Sequence, residues 1–208
     1  MIEKEFVLRT AVVCDDENRH CYCMERELVG MEGRMAVLLM LYPSYSGKGN
    51  FCIDDTTKSV LNHMQELQLN KVVTINLFSQ IVSGAKMSYR DLRVDEENIV
   101  FIRDLLSKPE FEFADVIVAF GNSMRKNQAA IESKKRILSM LRQGKRKLFQ
   151  LACDGIETKS SEAIHPLFLG VRAPQNMPWN LVPYISTEFE EKENSEEKKS
   201  EKKTKKKA

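Results

Sequence analysis

The strongest constraint on this chain is a rhythm in which short, almost wholly apolar runs alternate with amphipathic stretches at helical spacing. The runs fall at residues 35–41, 71–77, 115–120 and 147–152. Strands apolar along nearly their whole length are buried on both faces, as in a parallel sheet covered by helices. Between them lie three helix patterns: Val60, Leu61, Met64 and Leu67 within 56–69; Ile99, Ile102 and Leu106 within 95–107; and Ile131, Leu138 and Leu141 within 123–141. Asp55 is placed to cap the first helix, and Asn122 or Ser123 the last. With right-handed crossovers, this order predicts an α/β fold: a three-layer α/β/α sandwich with a central four-stranded parallel sheet. Two earlier segments, 6–13 and 21–29, separated by a polar loop, predict an antiparallel strand pair ahead of that sheet.

Composition narrows the function classes. The chain has 208 residues, 42% hydrophobic and 30% charged, with a formal net charge of +2. That is an ordinary globular balance, and no affinity for nucleic acid follows from it. From Glu188 glutamates give way to lysines and apolar periodicity ends. Residues 1–186 are therefore expected as a single α/β domain and 187–208 as a disordered Glu/Lys-rich tail. The tail is either a solubilising segment or, at its lysine tip, an electrostatic hook for nucleic acid. No run approaches the roughly 18 apolar residues of a membrane span, and the start lacks the apolar core of a secretion signal, so a cytoplasmic protein without membrane contact is expected. Five cysteines, an odd number, suit free thiols in a reducing compartment. His20-Cys21-Tyr22-Cys23 puts two sulfurs on one strand face, but a structural zinc site needs four ligands and no second pair answers. Neither metal nor cofactor is expected.

In open α/β sheets, ligands bind outside the carboxyl ends of the strands. Here every strand exit carries polar or glycine residues. The first run leads to Tyr42, Pro43 and Ser44, then to Phe51, Asp54, Asp55 and Thr57; the second ends in Asn76 and Phe78; the third ends in Gly121, Asn122 and Ser123; the loop after the fourth holds His165 before Pro166. Each has a plainer reading. Asn76 could bond neighbouring backbone, the aspartate pair could be a capping turn, Gly121 could serve only a tight turn, and His165 could be a loop histidine. Their shared position at one rim favours a ligand site. The third exit, Gly121-Asn122-Ser123, is expected at a helix start, where free amides and the dipole favour an anion or a carbonyl oxygen.

The ordered motifs Leu41-Tyr42-Pro43-Ser44, Asp54-Asp55-Thr56-Thr57, Asn76-Leu77-Phe78, Ala119-Phe120-Gly121 and His165-Pro166-Leu167 resemble those of the bacterial and phage family termed domain of unknown function 1643. Its members usually carry Asn-Pro-Ser where this chain has Tyr42-Pro43-Ser44. The same order is similar, more distantly, to the uracil-DNA glycosylase superfamily. That resemblance implies a four-stranded parallel sheet between helices, a base-reading Asn at Asn76, a Trp-Gly or like pair at Phe120-Gly121 and a His-Pro motif at His165-Pro166. It also implies an Asp or Asn before the proline that follows the first strand, and here Tyr42 stands there.

The chemistry of such a site is coherent. Glycosidic cleavage leaves positive charge on the sugar and negative charge on the departing base, so it needs a carboxylate or amide on one side and a donor on the other. His165 is the candidate donor, the Asn76 carboxamide complements a pyrimidine edge, and Phe51 or Phe78 is the candidate stacking surface. Tyr42, with an ordinary pKa near 10, is a poor base; Asp54 or Asp55 is the candidate replacement. Two functions follow. One is hydrolysis of a nucleobase–sugar bond in DNA or in a free nucleotide derivative, with a nucleotide, nucleobase or nucleic acid, single-stranded included, as partner; the other is binding of a nucleotide or modified base without chemistry, as sensor, sponge or adaptor. A third reading, a protein-interaction domain, rests on 173–178 and Trp179. The lysines and arginines at 134–136, 142 and 145–147 could touch phosphates, or could form a solvated helix face.

Overall fold

The computed structural model describes residues 2–43, 53–81, 92–157, 159, 163–173 and 177–185. Ser44, Phe51 and the segment 187–208 lie outside the described residues. Among the described residues seven strands and four α-helices follow in the order β1 (Val7–Cys14), β2 (Cys21–Val29), β3 (Arg34–Met40), α1 (Asp55–His63), β4 (Leu69–Asn76), α2 (Glu96–Leu106), β5 (Asp115–Val118), α3 (Gln128–Arg142), β6 (Leu148–Cys153), α4 (Pro166–Arg172) and β7 (Trp179–Pro183).

One mixed sheet holds all seven strands, in the order β1-β2-β4-β3-β5-β6-β7. Its middle is parallel: β3 pairs with β4 and β5, and β5 with β6. Antiparallel pairings add β2 and β1 on one side and β7 on the other. The sheet is thus larger than the four strands expected. Its two extensions differ in how plainly they are written. The opening pair is the one expected from segments 6–13 and 21–29, whereas β7 is short and is bounded by Pro178 and Pro183, which cannot donate to a ladder and belong at an edge.

Period-2 alternation sorts the strand residues onto two faces. Val37, Leu39, Val73, Ile75, Val116 and Val118 pack with Ile99, Ile102, Ile137 and Leu138 of α2 and α3. Ala36, Leu38, Met40, Val72 and Ile117 pack with Met64, Leu67 and Leu169, so α1 and α4 cover the opposite face. Burial on both faces explains why these strands read as continuous apolar runs.

Three boundaries correct the expected ones. The first helix ends at His63 and Leu69 already begins β4, because Gln68 takes a left-handed φ of 56° that no helix continues through. Its N-cap is Asp54, whose carboxylate accepts from the amides of Thr56 and Thr57, so Asp55 lies inside the helix. The third helix starts at Gln128, capped by Asn127 onto the Ala130 amide. Asn122 and Ser123 instead lie exposed in a turn that passes through Met124 at φ 62°. Consequently no helix N-terminus stands at Gly121-Asn122-Ser123, and the anion site expected there has no dipole behind it. Among the described residues no helix is long and apolar enough to cross a membrane.

Candidate functional site

Because β3, β4, β5 and β6 share a direction, their carboxyl ends meet at one edge of the sheet. Two backbone bonds lock the register there: the Leu77 amide donates to the Met40 carbonyl at 2.9 Å, and the Ala119 amide to the Leu39 carbonyl at 2.9 Å. Asn76 ends β4 directly opposite Met40.

The expected site residues reach this edge in two groups, one on each face. On the α2/α3 face, Tyr42 stacks on Phe78 with ring centroids 5.5 Å apart, and its hydroxyl donates to the sulfur of Met124 at 3.0 Å. The Tyr42 ring lies over buried Phe78, so the face Phe78 would offer a ligand is already taken and it is the floor beneath Tyr42. Pro43 is buried beside it.

On the α1/α4 face stand Asn76, Asp54, Thr57 and His165. Asn76 alternates with Ile75 of the other face and so follows Val72 and Thr74 toward α1. Its backbone carbonyl accepts from the Asn98 carboxamide at 2.8 Å. The residue is 2% exposed, and Oδ1 has no partner among the described residues. A buried oxygen left unbonded costs about 1–3 kcal/mol, a cost that a donor arriving on a ligand removes.

His165 is the N-cap of α4, held by two features. Its Nδ1 accepts from the Leu167 amide at 3.2 Å, so in the neutral ring the proton sits on Nε2, which is left as a donor. Burial pushes the imidazole below its ordinary 6.5, against the pull of the Asp54 carboxylate, and the ring is therefore neutral near pH 7. Gly121 packs against this histidine: a Cβ built on it meets His165 Cβ at 3.3 Å, and its φ of 68° is one that side chains rarely adopt. The Gly121 amide donates to the Ala163 carbonyl at 2.7 Å, while buried Gln150 accepts from the Ala163 amide at 3.0 Å. Gln150 thereby fixes the loop that presents His165. Sequence reasoning passed over it because a single glutamine in an apolar run carries no motif.

Asp54 is already committed. One oxygen accepts from the amides of Thr56 and Thr57 at 2.9 and 3.1 Å, and the other from the Thr57 hydroxyl at 2.6 Å. Three of roughly four lone-pair positions are filled, leaving one for water. Asp55 is exposed and instead lines a cleft of about 680 Å³ between α1 and α4, together with Lys58, His63, Glu66, Leu167 and Trp179.

The basic segment 134–147 is largely spent on internal contacts. Arg136 forms a two-pronged pair with Glu96, Lys134 lies 4.5 Å from the Phe120 ring centre, Lys145 pairs with Glu112 at 3.4 Å, and Arg146 donates to the carbonyls of Leu106, Phe111 and Gln143. Trp179 is 3% exposed and stacks on His63 with centroids 3.8 Å apart, so it packs into the body of the protein. Among the described residues no group of three His, Cys, Asp or Glu could hold a metal ion.

A protein-family model described as "Protein of unknown function (DUF1643)" matches residues 21–167. The matched span opens on β2 and closes at Leu167, so it takes in every described residue of both groups. No curated protein and no solved structure matches the chain.

Proposed function

The chain belongs to the DUF1643 family, and on that premise we propose that it recognises a nucleobase or nucleotide at the carboxyl edge, on the face covered by α1 and α4. Asn76 reads the edge of the ring, and the Nε2–H of His165 donates to a carbonyl or leaving-group atom of the ligand. Tyr42, backed by Phe78, walls the neighbouring side. In this reading the parallel strands with helices on both faces form a uracil-DNA glycosylase-like framework.

The observation that carries the reading is Asn76 Oδ1, buried and unbonded at the end of a central strand. A neutral donor beside a site that expels charge is also what stabilises a departing base. Hydrolysis of an N-glycosidic bond is therefore the reaction these groups can support, with the last lone pair of Asp54 orienting water. That three of the roughly four lone-pair positions of Asp54 are taken by its own helix start favours a second reading, in which the site binds without chemistry as a sensor, sponge or adaptor.

Denaturing mass spectrometry of material released from the purified protein tests recognition, and incubation with uracil-containing single-stranded DNA and with free nucleotides tests chemistry. Base release that disappears in Asp54→Asn and His165→Ala supports hydrolysis. Retention of a nucleotide without turnover, lost in Asn76→Leu, supports binding alone. Absence of both in the wild-type protein rejects the nucleobase reading.

A further inference from the structure

Arg26 has no place in the site above, yet it is a buried charge whose hydrogen-bond partners among the described residues are all neutral. It stands on β2 opposite Val72 and is 7% exposed. One terminal nitrogen donates to the Thr10 hydroxyl at 3.1 Å and the other to the sulfur of Met24 at 3.0 Å; neither acceptor is charged. Nε has no partner among the described residues. A guanidinium cannot shed its proton to escape burial, so the charge persists and needs a negative neighbour.

Asp54 does not enter to provide it. Its field favours the charged form of Arg26 while burial opposes it, but its oxygens are bound to the first turn of α1. Between Arg26 and that turn lies a cavity lined by Arg26, Thr56, Thr57, Thr74, Leu38 and Met40, among others, with about 20 Å³ of accessible space. That is room for one water-sized group. Apolar walls, hydroxyl donors and a buried cation together suit a small, weakly hydrated negative atom.

We propose that the cavity between Arg26 and the first turn of α1 is a binding site for one small anionic group, either a halide ion or a single anionic oxygen carried by a larger ligand. A neutral water would satisfy Nε and leave the charge uncompensated. The inference rests on Arg26 and its cavity and is independent of the nucleobase reading.

The test uses the full chain in sodium bromide and in sodium gluconate at equal ionic strength, so that general screening is the same in both. Bromide is expected to raise Tm along a saturating curve that gluconate does not produce, and to appear by its anomalous scattering beside Arg26 in crystals. Arg26→Met abolishes the difference. Thr74→Val, which keeps the guanidinium and removes only a lining hydroxyl, weakens bromide binding about tenfold, the loss of one hydrogen bond to an ion. Displacement of bromide by nucleoside monophosphates identifies a phosphate oxygen as the natural occupant; bromide that stays identifies a free halide. Coincident bromide and gluconate curves, a bromide response that survives in Arg26→Met, or water in the cavity where bromide should scatter would each overturn the proposal.

Discussion

The two faces of the sheet use their charges differently. On the α2/α3 side, Arg136 is paired with Glu96, Lys134 lies over Phe120, and Arg146 closes three carbonyls. On the α1/α4 side, Arg26 Nε and Asn76 Oδ1 are buried without partners, His165 keeps Nε2–H as a donor, and a cleft of about 680 Å³ runs between the helices. The α2/α3 side is not free of orphans, since Asn98 Oδ1 and Ser133 Oγ are also unbonded. The contrast is in the charged and edge-facing groups. One face largely completes its own charged contacts; the other leaves Arg26 Nε and Asn76 Oδ1 buried and unbonded, and the proposed recognition rests on that difference.

Truncation of the α2/α3 core should therefore cost the most stability and the least recognition. Leu138→Ala, at a position 1% exposed, is expected to destabilise by about 2–5 kcal/mol in urea unfolding, with ligand affinity unchanged once the protein is folded. An affinity loss matching the stability loss would erase the distinction between the faces.

Gly121→Ala should touch both properties. The left-handed backbone costs about 1–2 kcal/mol with a side chain, and the new methyl presses on His165. The expected result is a fall in Tm together with shifted His165 ring resonances, and a fall in Tm alone would show that the close approach does not position the imidazole.

At Asp54 the two roles can be separated. Asp54→Ala removes the cap and is expected to cost about 1 kcal/mol. Asp54→Asn keeps a capping side chain and removes the charge, so stability stays near wild type while the His165 pKa falls further, because the aspartate is what holds it up. Titration followed by NMR reads this directly.

The smallest effect is a pH slope. With its folded pKa below the ordinary 6.5, His165 takes up a proton first in the unfolded chain as pH falls. Stability should then decline from about 6.5 downward, levelling off once the folded ring is protonated too, and show no contribution above that range. His165→Asn, which can still cap α4, should flatten that part of the profile.

Much of this was legible in the sequence where local signals agree with tertiary context. The apolar runs became β3 to β6 because burial on two faces demands such runs, and Asp95 to Ser107 became a capped helix because its apolar spacing and its cap coincide. The failures share a cause. Asn122 and Ser123 resemble N-caps, yet Met124 turns left-handed and the helix waits for Asn127. Phe78 resembles a stacking surface, but only packing decides that Tyr42 covers it. An arginine in a strand reads as solvent-facing, and the burial of Arg26 arises when α1 closes over β2 and β4. Ser44 and Phe51 lie outside the described residues and take no part in this comparison.

The proposed recognition requires Asn76 and His165 to act together on one ligand at the α1/α4 side of the edge. The most direct measurement is NMR of the Asn76 carboxamide and the His165 ring nitrogens during titration with free bases and nucleoside monophosphates. At least one compound is expected to shift both residues along the same saturation curve, and Asn76→Leu to remove the response at His165. If none shifts either residue, or if His165 responds unchanged without Asn76, the two do not share a site.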